Sequence, residues 1–140
     1  FLRISANFLR ARALLARMAA DSDRHSEALI APHVKVLRKA KRPDADCLAD
    51  LLDAGVHNLR GRKEHAQRLL ERCVGGVDEH QMPAFARYAE LGLAALNADR
   101  ERRQRVASAL AEDGVSDPDR WVSMFAPGLL EIPERRMRVA

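Results

Sequence analysis

Residues 43–76, PDADCLADLLDAGVHNLRGRKEHAQRLLERCVGG, decide the fold. Pro43 suits the first turn of a helix, where its missing N–H costs nothing, and Asp44 complements the positive helix start. Leu48, Leu51, Leu52, Val56 and Leu59 then recur at the spacings of three, four, seven and eight that put apolar groups on one helical face. Gly61 ends this helix. A second one follows at once, from about Arg62 to Val74, with Ala66, Leu69, Leu70 and Cys73 on one side. Gly75 and Gly76 stop it. Two amphipathic helices joined by so short a turn must lie antiparallel, so the stretch reads as a helical hairpin.

The same pattern extends in both directions. Upstream, a helix over about residues 2–20 carries Ile4, Phe8, Leu15 and Met18. Asp21, Ser22 and Asp23 offer turn and N-cap groups. The next helix covers about residues 24–41, with Leu29, Ile30, Val34 and Leu37 on its apolar side, and Pro32 inside it predicts a kink or a break. Downstream, a fifth helix from Met82 and Pro83 to about Asn97 lines Phe85, Tyr88, Ala89, Gly92 and Leu96 on one face. A sixth runs to about Glu112 with Val106, Ala107 and Leu110 inward, and Gly114 closes it. Ser116, Asp117 and Pro118 cap a short seventh helix bearing Trp121, Val122, Met124 and Phe125, ended by Pro127 and Gly128.

The expected architecture is therefore all-α: antiparallel hairpins over about 2–41, 43–75 and 82–113, stacked as a short solenoid and closed by a cap at 117–126. Together these make one domain, 1–130, followed by a flexible tail, 131–140. Ala28 and Ala66 are 38 positions apart, as are Ala54 and Gly92, and small residues at matching points let helices approach closely. A period of roughly that size belongs to helical solenoids.

Composition agrees. Of the 140 residues 47% are hydrophobic and 31% charged, which excludes a disordered chain, and at 4% aromatics the strand formers are too few for a sheet. No stretch approaches the ~20 apolar residues that cross a bilayer. Cys47 and Cys73 lack CxxC spacing and read as two buried small apolar groups in a reducing compartment, hence a cytoplasmic chain. The sequence begins at Phe1, already in a helical pattern, and reads as a piece of a longer protein.

Two resemblances follow from the quoted residues. Ala54, His57, Gly61, Ala66, Leu70 and Cys73 fall at the positions that a tetratricopeptide repeat gives to small, ring-bearing, turn, small, bulky and small residues, and Leu91-Gly92 suggests a further copy. His57 stands where that motif has tyrosine. The run from the sixth helix through Gly114-Val115, Asp117-Pro118, Trp121 and Pro127-Gly128 resembles the closing segment of the helical-repeat tail of large bacterial signalling proteins. Those proteins carry an N-terminal serine/threonine kinase domain, often with an ATPase module. The resemblance spans about Leu51 to Leu130 and implies that kinase chemistry resides elsewhere in the parent. No glycine-rich phosphate loop, HRD or DFG is present.

The residues offer little catalytic chemistry. His25, His33, His57, His65 and His80 have neither HExxH nor finger spacing with the cysteines, so no metal and no cofactor is expected. Asp46, Asp50 and Asp53 share one side of the third helix and read as its solvated face. Trp121 and Phe125, one turn apart, read as a cap over the last hairpin. The expected function is a protein–protein interaction scaffold, not an enzyme, with a protein or peptide partner and self-association as a further option. Its partner-binding residues on the concave side would be Asp50, Asp53, His57 and Arg60 on the third helix, with Arg87, Glu90 and Ala94 on the fifth.

The alternative is a basic helical domain that binds nucleic acid. It would use two runs, Lys35, Arg38, Lys39, Lys41 and Arg42, then Arg100, Arg102, Arg103 and Arg105, within a net charge of +4.

Overall fold

The computed structural model of the protein describes residues 2–21, 24–76 and 82–130. They form α1 (Leu2–Asp21), α2 (Arg24–Lys39), α3 (Pro43–Leu59), α4 (Lys63–Gly76), α5 (Pro83–Leu96), α6 (Arg100–Glu112) and α7 (Pro118–Phe125), with no strand among the described residues. The expected all-α fold of packed neighbouring helices is what the chain adopts. α1 pairs with α2, α3 with α4 and α5 with α6, and each hairpin packs on the next through α2–α3 and α4–α5. The odd-numbered helices also meet one another, α1 against α3 and α3 against α5. The bend between α3 and α4 depends on Gly61, whose φ of +73° is the left-handed conformation glycine reaches without Cβ strain. That conformation lets the Arg62 N–H donate to the His57 carbonyl at 2.8 Å, closing the helix end. At the other hairpin Asp99 caps α6 by accepting from the Arg102 N–H, and Asp117 caps α7 by accepting from the Arg120 N–H.

α3 is the axis of the molecule. Ala45, Leu48, Ala49, Leu52 and Val56 join Ile4, Phe8, Ala11, Leu15, Met18, Ile30, Val34 and Leu37 in one core cluster. Cys47, Leu51 and Ala54 turn the other way, into a cluster built from α4 to α7. A helix read from sequence as carrying one apolar stripe is thus buried on both sides.

Four expectations are corrected. α2 runs through Pro32 without a break, because Pro32 sits on its exposed side while Ile30, Val34 and Leu37 hold the buried one. Leu29, placed on the apolar side, is 56% exposed. Ala28 is also exposed, so its 38-residue offset from the buried Ala66 marks no matching close approach. Finally, Cys47 and Cys73 are not separate thiols: α3 and α4 bring their Cα atoms to 4.8 Å and the pair is disulfide-bonded. Among the described residues no helix is long and apolar enough to cross a membrane. The tail expected at 131–140 lies outside the described residues.

Candidate partner-binding groove

A trough runs along the face where α1, α3 and α5 come together. α1 contributes Ile4, Phe8, Arg12 and Leu15, a stripe at helical spacing in which one position is charged. The trough has two halves. In the far half the chain fills it with its own backbone: after α7, Ala126, Pro127, Gly128 and Leu129 are all buried. Gly55 of α3 makes this possible, since a Cβ there would run into the Pro127 carbonyl oxygen and the Leu15 side chain. Gly92 of α5 leaves room for Leu129, whose side chain lies 3.3 Å from where a Cβ would stand. The buried Asn58 amide donates to the Gly128 carbonyl at 2.6 Å and the Leu129 carbonyl at 3.3 Å, so these two strap carbonyls are paired inside the protein.

The near half is open. It is a cavity of about 790 Å³ walled by Ile4, Phe8, Leu9, Leu48, Met82, Phe85 and Phe125, with Ser5, Arg12, Arg42 and Asp44 at its rim. Its aromatic side is held in place by a chain of ring contacts. Phe8 meets Phe85 edge to face at 5.9 Å, Phe85 meets Tyr88 at 5.3 Å, and Tyr88 stacks on Phe125 at 5.9 Å. Trp121 closes the chain, packing on Phe125 at 5.0 Å and donating its indole N–H to the Tyr88 hydroxyl at 2.9 Å. The Trp121–Phe125 pair therefore packs onto α5 through Tyr88, with Trp121 itself 39% exposed, and Phe125 lines the open half next to the strap.

Two cations lie at this rim, and they differ. Arg42 is engaged by Asp44, with guanidinium to carboxylate contacts at 3.0 and 2.8 Å. Burial works against the charge of Asp44, but Arg42 and the Ala45 N–H outweigh it and hold its carboxyl below the usual carboxylate range. Arg12 lies over aromatic rings instead, 5.9 Å from the centre of Phe8 and 5.2 Å from that of Phe125. Among the described residues no carboxylate pairs with it.

The residues expected on a concave binding face lie elsewhere. Asp50 is not on a solvated face; it is 2% exposed, between α2 and α4. Its oxygens accept from Arg38 at 2.9 Å and from Arg72 at 2.9 and 2.5 Å, and Arg38 reaches on to Asp53 at 2.6 Å. Burial disfavours the charge of Arg38, but the two carboxylates outweigh it and raise its pKa; that of Arg72 is raised by its hydrogen bonds to Asp50. With Asp46 and the cysteine pair, Asp50, Arg38 and Arg72 line a second cleft of about 410 Å³. His57 stacks on His65 of α4 with ring centres 5.0 Å apart, and Arg60 binds Glu27 of α2 at 2.6 Å. Arg87 is paired with Asp113 at the end of α6, and Glu90 is half-buried on α5. Asp50, Asp53, His57 and Arg60 thus engage partners on α2 and α4, Arg87 a partner at the end of α6, and Ala94 is fully buried. Sequence reading missed Phe8, Arg12, Leu48 and Phe85, for which the one available signal was the arginine interrupting α1's apolar stripe.

The two basic runs are also apart, on the first and third hairpins, and carboxylates engage part of each: Arg38 with Asp50 and Asp53, Arg42 with Asp44, Arg103 with Asp119. Among the described residues no three His, Cys, Asp or Glu side chains gather as metal ligands. His80 lies outside the described residues. Compared with protein-family models, curated proteins and solved structures, the chain matches none of them.

Proposed function

We propose that this chain is a helical-repeat interaction module that binds a protein or peptide segment in the open half of the α1–α3–α5 trough, with no catalysis of its own. One observation carries the reading: the trough already holds an apolar segment, the chain's own turn over Pro127–Leu129, and an unfilled apolar cavity opens beside Phe125. Leu9, on the cavity wall, is 50% exposed, an apolar group left in water that a partner would cover. The aromatic and aliphatic walls would supply affinity and the polar rim orientation.

The resemblance of the closing segment to the repeat tails of bacterial serine/threonine kinases makes such a protein the proposed parent, with the module recruiting or regulating in the cytoplasm. In that compartment Cys47 and Cys73 would have to exist as thiols at least part of the time. Selection of a random heptapeptide display library on the wild-type chain and on Leu9→Glu tests the binding reading. Leu9 is exposed enough that the substitution leaves the core intact. Peptides with apolar anchors should be enriched on wild type and lost on the variant. No enriched sequence, or equal enrichment on both, overturns it.

A further inference from the structure

We infer that the segment taken by the open half-trough is a peptide with an acidic side chain among apolar ones, and that Arg12 is the residue that selects it. The inference rests on the binding reading above and adds the chemistry of the partner.

That the trough takes an apolar chain segment follows from what it already does. Its far half accommodates backbone in close approach to α3, with leucine set between α3 and α5 and the carbonyl groups held by an amide. A bound segment would set its apolar side chains against the walls and leave polar groups at the rim. In the open half, Ser5 and Arg42 stand at that rim.

The acidic requirement follows from Arg12. A guanidinium stays charged at any physiological pH, and a half-buried one has lost part of its hydration. Phe8 and Phe125 return some of that loss through their ring faces, yet leave the N–H edge available for a carboxylate to accept two hydrogen bonds. Asp44 does not fill that role, because it is tied to Arg42. The surrounding field has the same sign: α1 carries Arg3, Arg10, Arg12 and Arg17, and no acidic residue before Asp21. A purely apolar peptide would leave the Arg12 edge covered and unpaired, which is a cost. An acidic one removes that cost and is drawn in by the basic helix.

The test uses the leading heptapeptides from the selection above and, for each, a version with Asp replaced by Asn or Glu by Gln. Affinities are measured by titration calorimetry for the wild-type chain, Arg12→Gln and Arg12→Lys, each checked for an unchanged helical spectrum and melting temperature. On wild type the acidic peptide should bind about tenfold more tightly than its amide twin, the scale of a charge-assisted pair. That ratio should fall to within about twofold on Arg12→Gln, be partly restored on Arg12→Lys, and shrink at 1 M salt, where the Debye length is about 3 Å. If groove-dependent peptides bind with no acidic preference, or keep the full preference on Arg12→Gln, the selectivity inference is overturned and the binding reading stands. If no groove-dependent peptide binds at all, both are overturned. Should Arg12→Gln lose its fold, the wild-type ratio with the Arg12→Lys ratio decides: an equal wild-type affinity for acid and amide overturns the inference.

Discussion

Gly128 and Gly55 lie backbone against backbone: a Cβ on Gly128 would stand 2.9 Å from the Gly55 carbonyl oxygen and 3.2 Å from its Cα. This contact seats the strap on α3 and fixes which part of the trough is closed. Gly55 is in mid-helix, where alanine would ordinarily stabilise by about 1 kcal/mol. Here the added methyl meets the backbone of Pro127 instead of a yielding side-chain tip. Gly55→Ala should therefore destabilise the chain by about 1–3 kcal/mol, the range for overpacking a filled site. Urea unfolding followed by circular dichroism reads the sign, and a stabilised variant would show that the strap does not lie on α3.

Asp50 is the polar centre of the second cleft, with two guanidiniums from α2 and α4 upon it. Removing one partner of a buried pair leaves the rest uncompensated, but here both arginines are partly in water, with side chains 34% and 61% exposed, and can rehydrate. Asp50→Ala should cost about 2–3 kcal/mol, below the value for a fully buried pair. Arg72→Ala should cost about 1 kcal/mol, since Arg38 still holds the carboxylate. Equal losses for the two substitutions in urea unfolding would contradict this ranking.

Most of the fold was legible in the sequence, and the site was not, for reasons visible in particular residues. Helix positions followed from local chemistry, such as Pro43 and Pro83 at helix starts, Asp117 as a cap and Gly61 as a stop. Hairpin pairing followed from short turns. The site depends on contacts between residues far apart in the chain, and no local spacing reports them. Asp50 reads as a surface residue until Arg38 and Arg72 are known to converge on it. Gly55 and Asn58 read as ordinary helix residues until the Pro127–Leu129 strap lies over them. Pro32 misled in the opposite sense: a proline breaks a helix by what it lacks locally, but packing of Ile30, Val34 and Leu37 holds α2 together.

The Cys47–Cys73 bond spans a sequence separation of 26 and ties α3 to α4. Closing a loop of that size in the unfolded chain stabilises the fold by about 3 kcal/mol in the chain-entropy account. The purified chain should show no free thiol by labelling under non-reducing conditions after denaturation. Adding a phosphine reductant should expose two and lower the urea midpoint. Two reactive thiols in the untreated chain would return the pair to the sequence expectation of independent small apolar groups.

His57 gives the protein a specific acid sensitivity. Burial pushes its pKa down, Arg62 and His65 push it further, and Asp53 and Glu27 offset this only in part, so the folded value lies below the ordinary 6.5. A histidine with a depressed folded pKa binds its proton more readily in the unfolded chain. Its contribution is therefore neutral above about pH 6.5 and becomes destabilising as the pH falls from there toward the folded value. Replacing it with glutamine keeps a polar planar group against His65 but removes the proton site. His57→Gln should lose less stability than wild type between pH 7.5 and pH 5.5, so the difference between their urea midpoints shifts in the variant's favour on acidification. A wild-type advantage that grows as the pH falls would mean that the folded chain welcomes the imidazolium, and that Asp53 and Glu27 outweigh burial and Arg62.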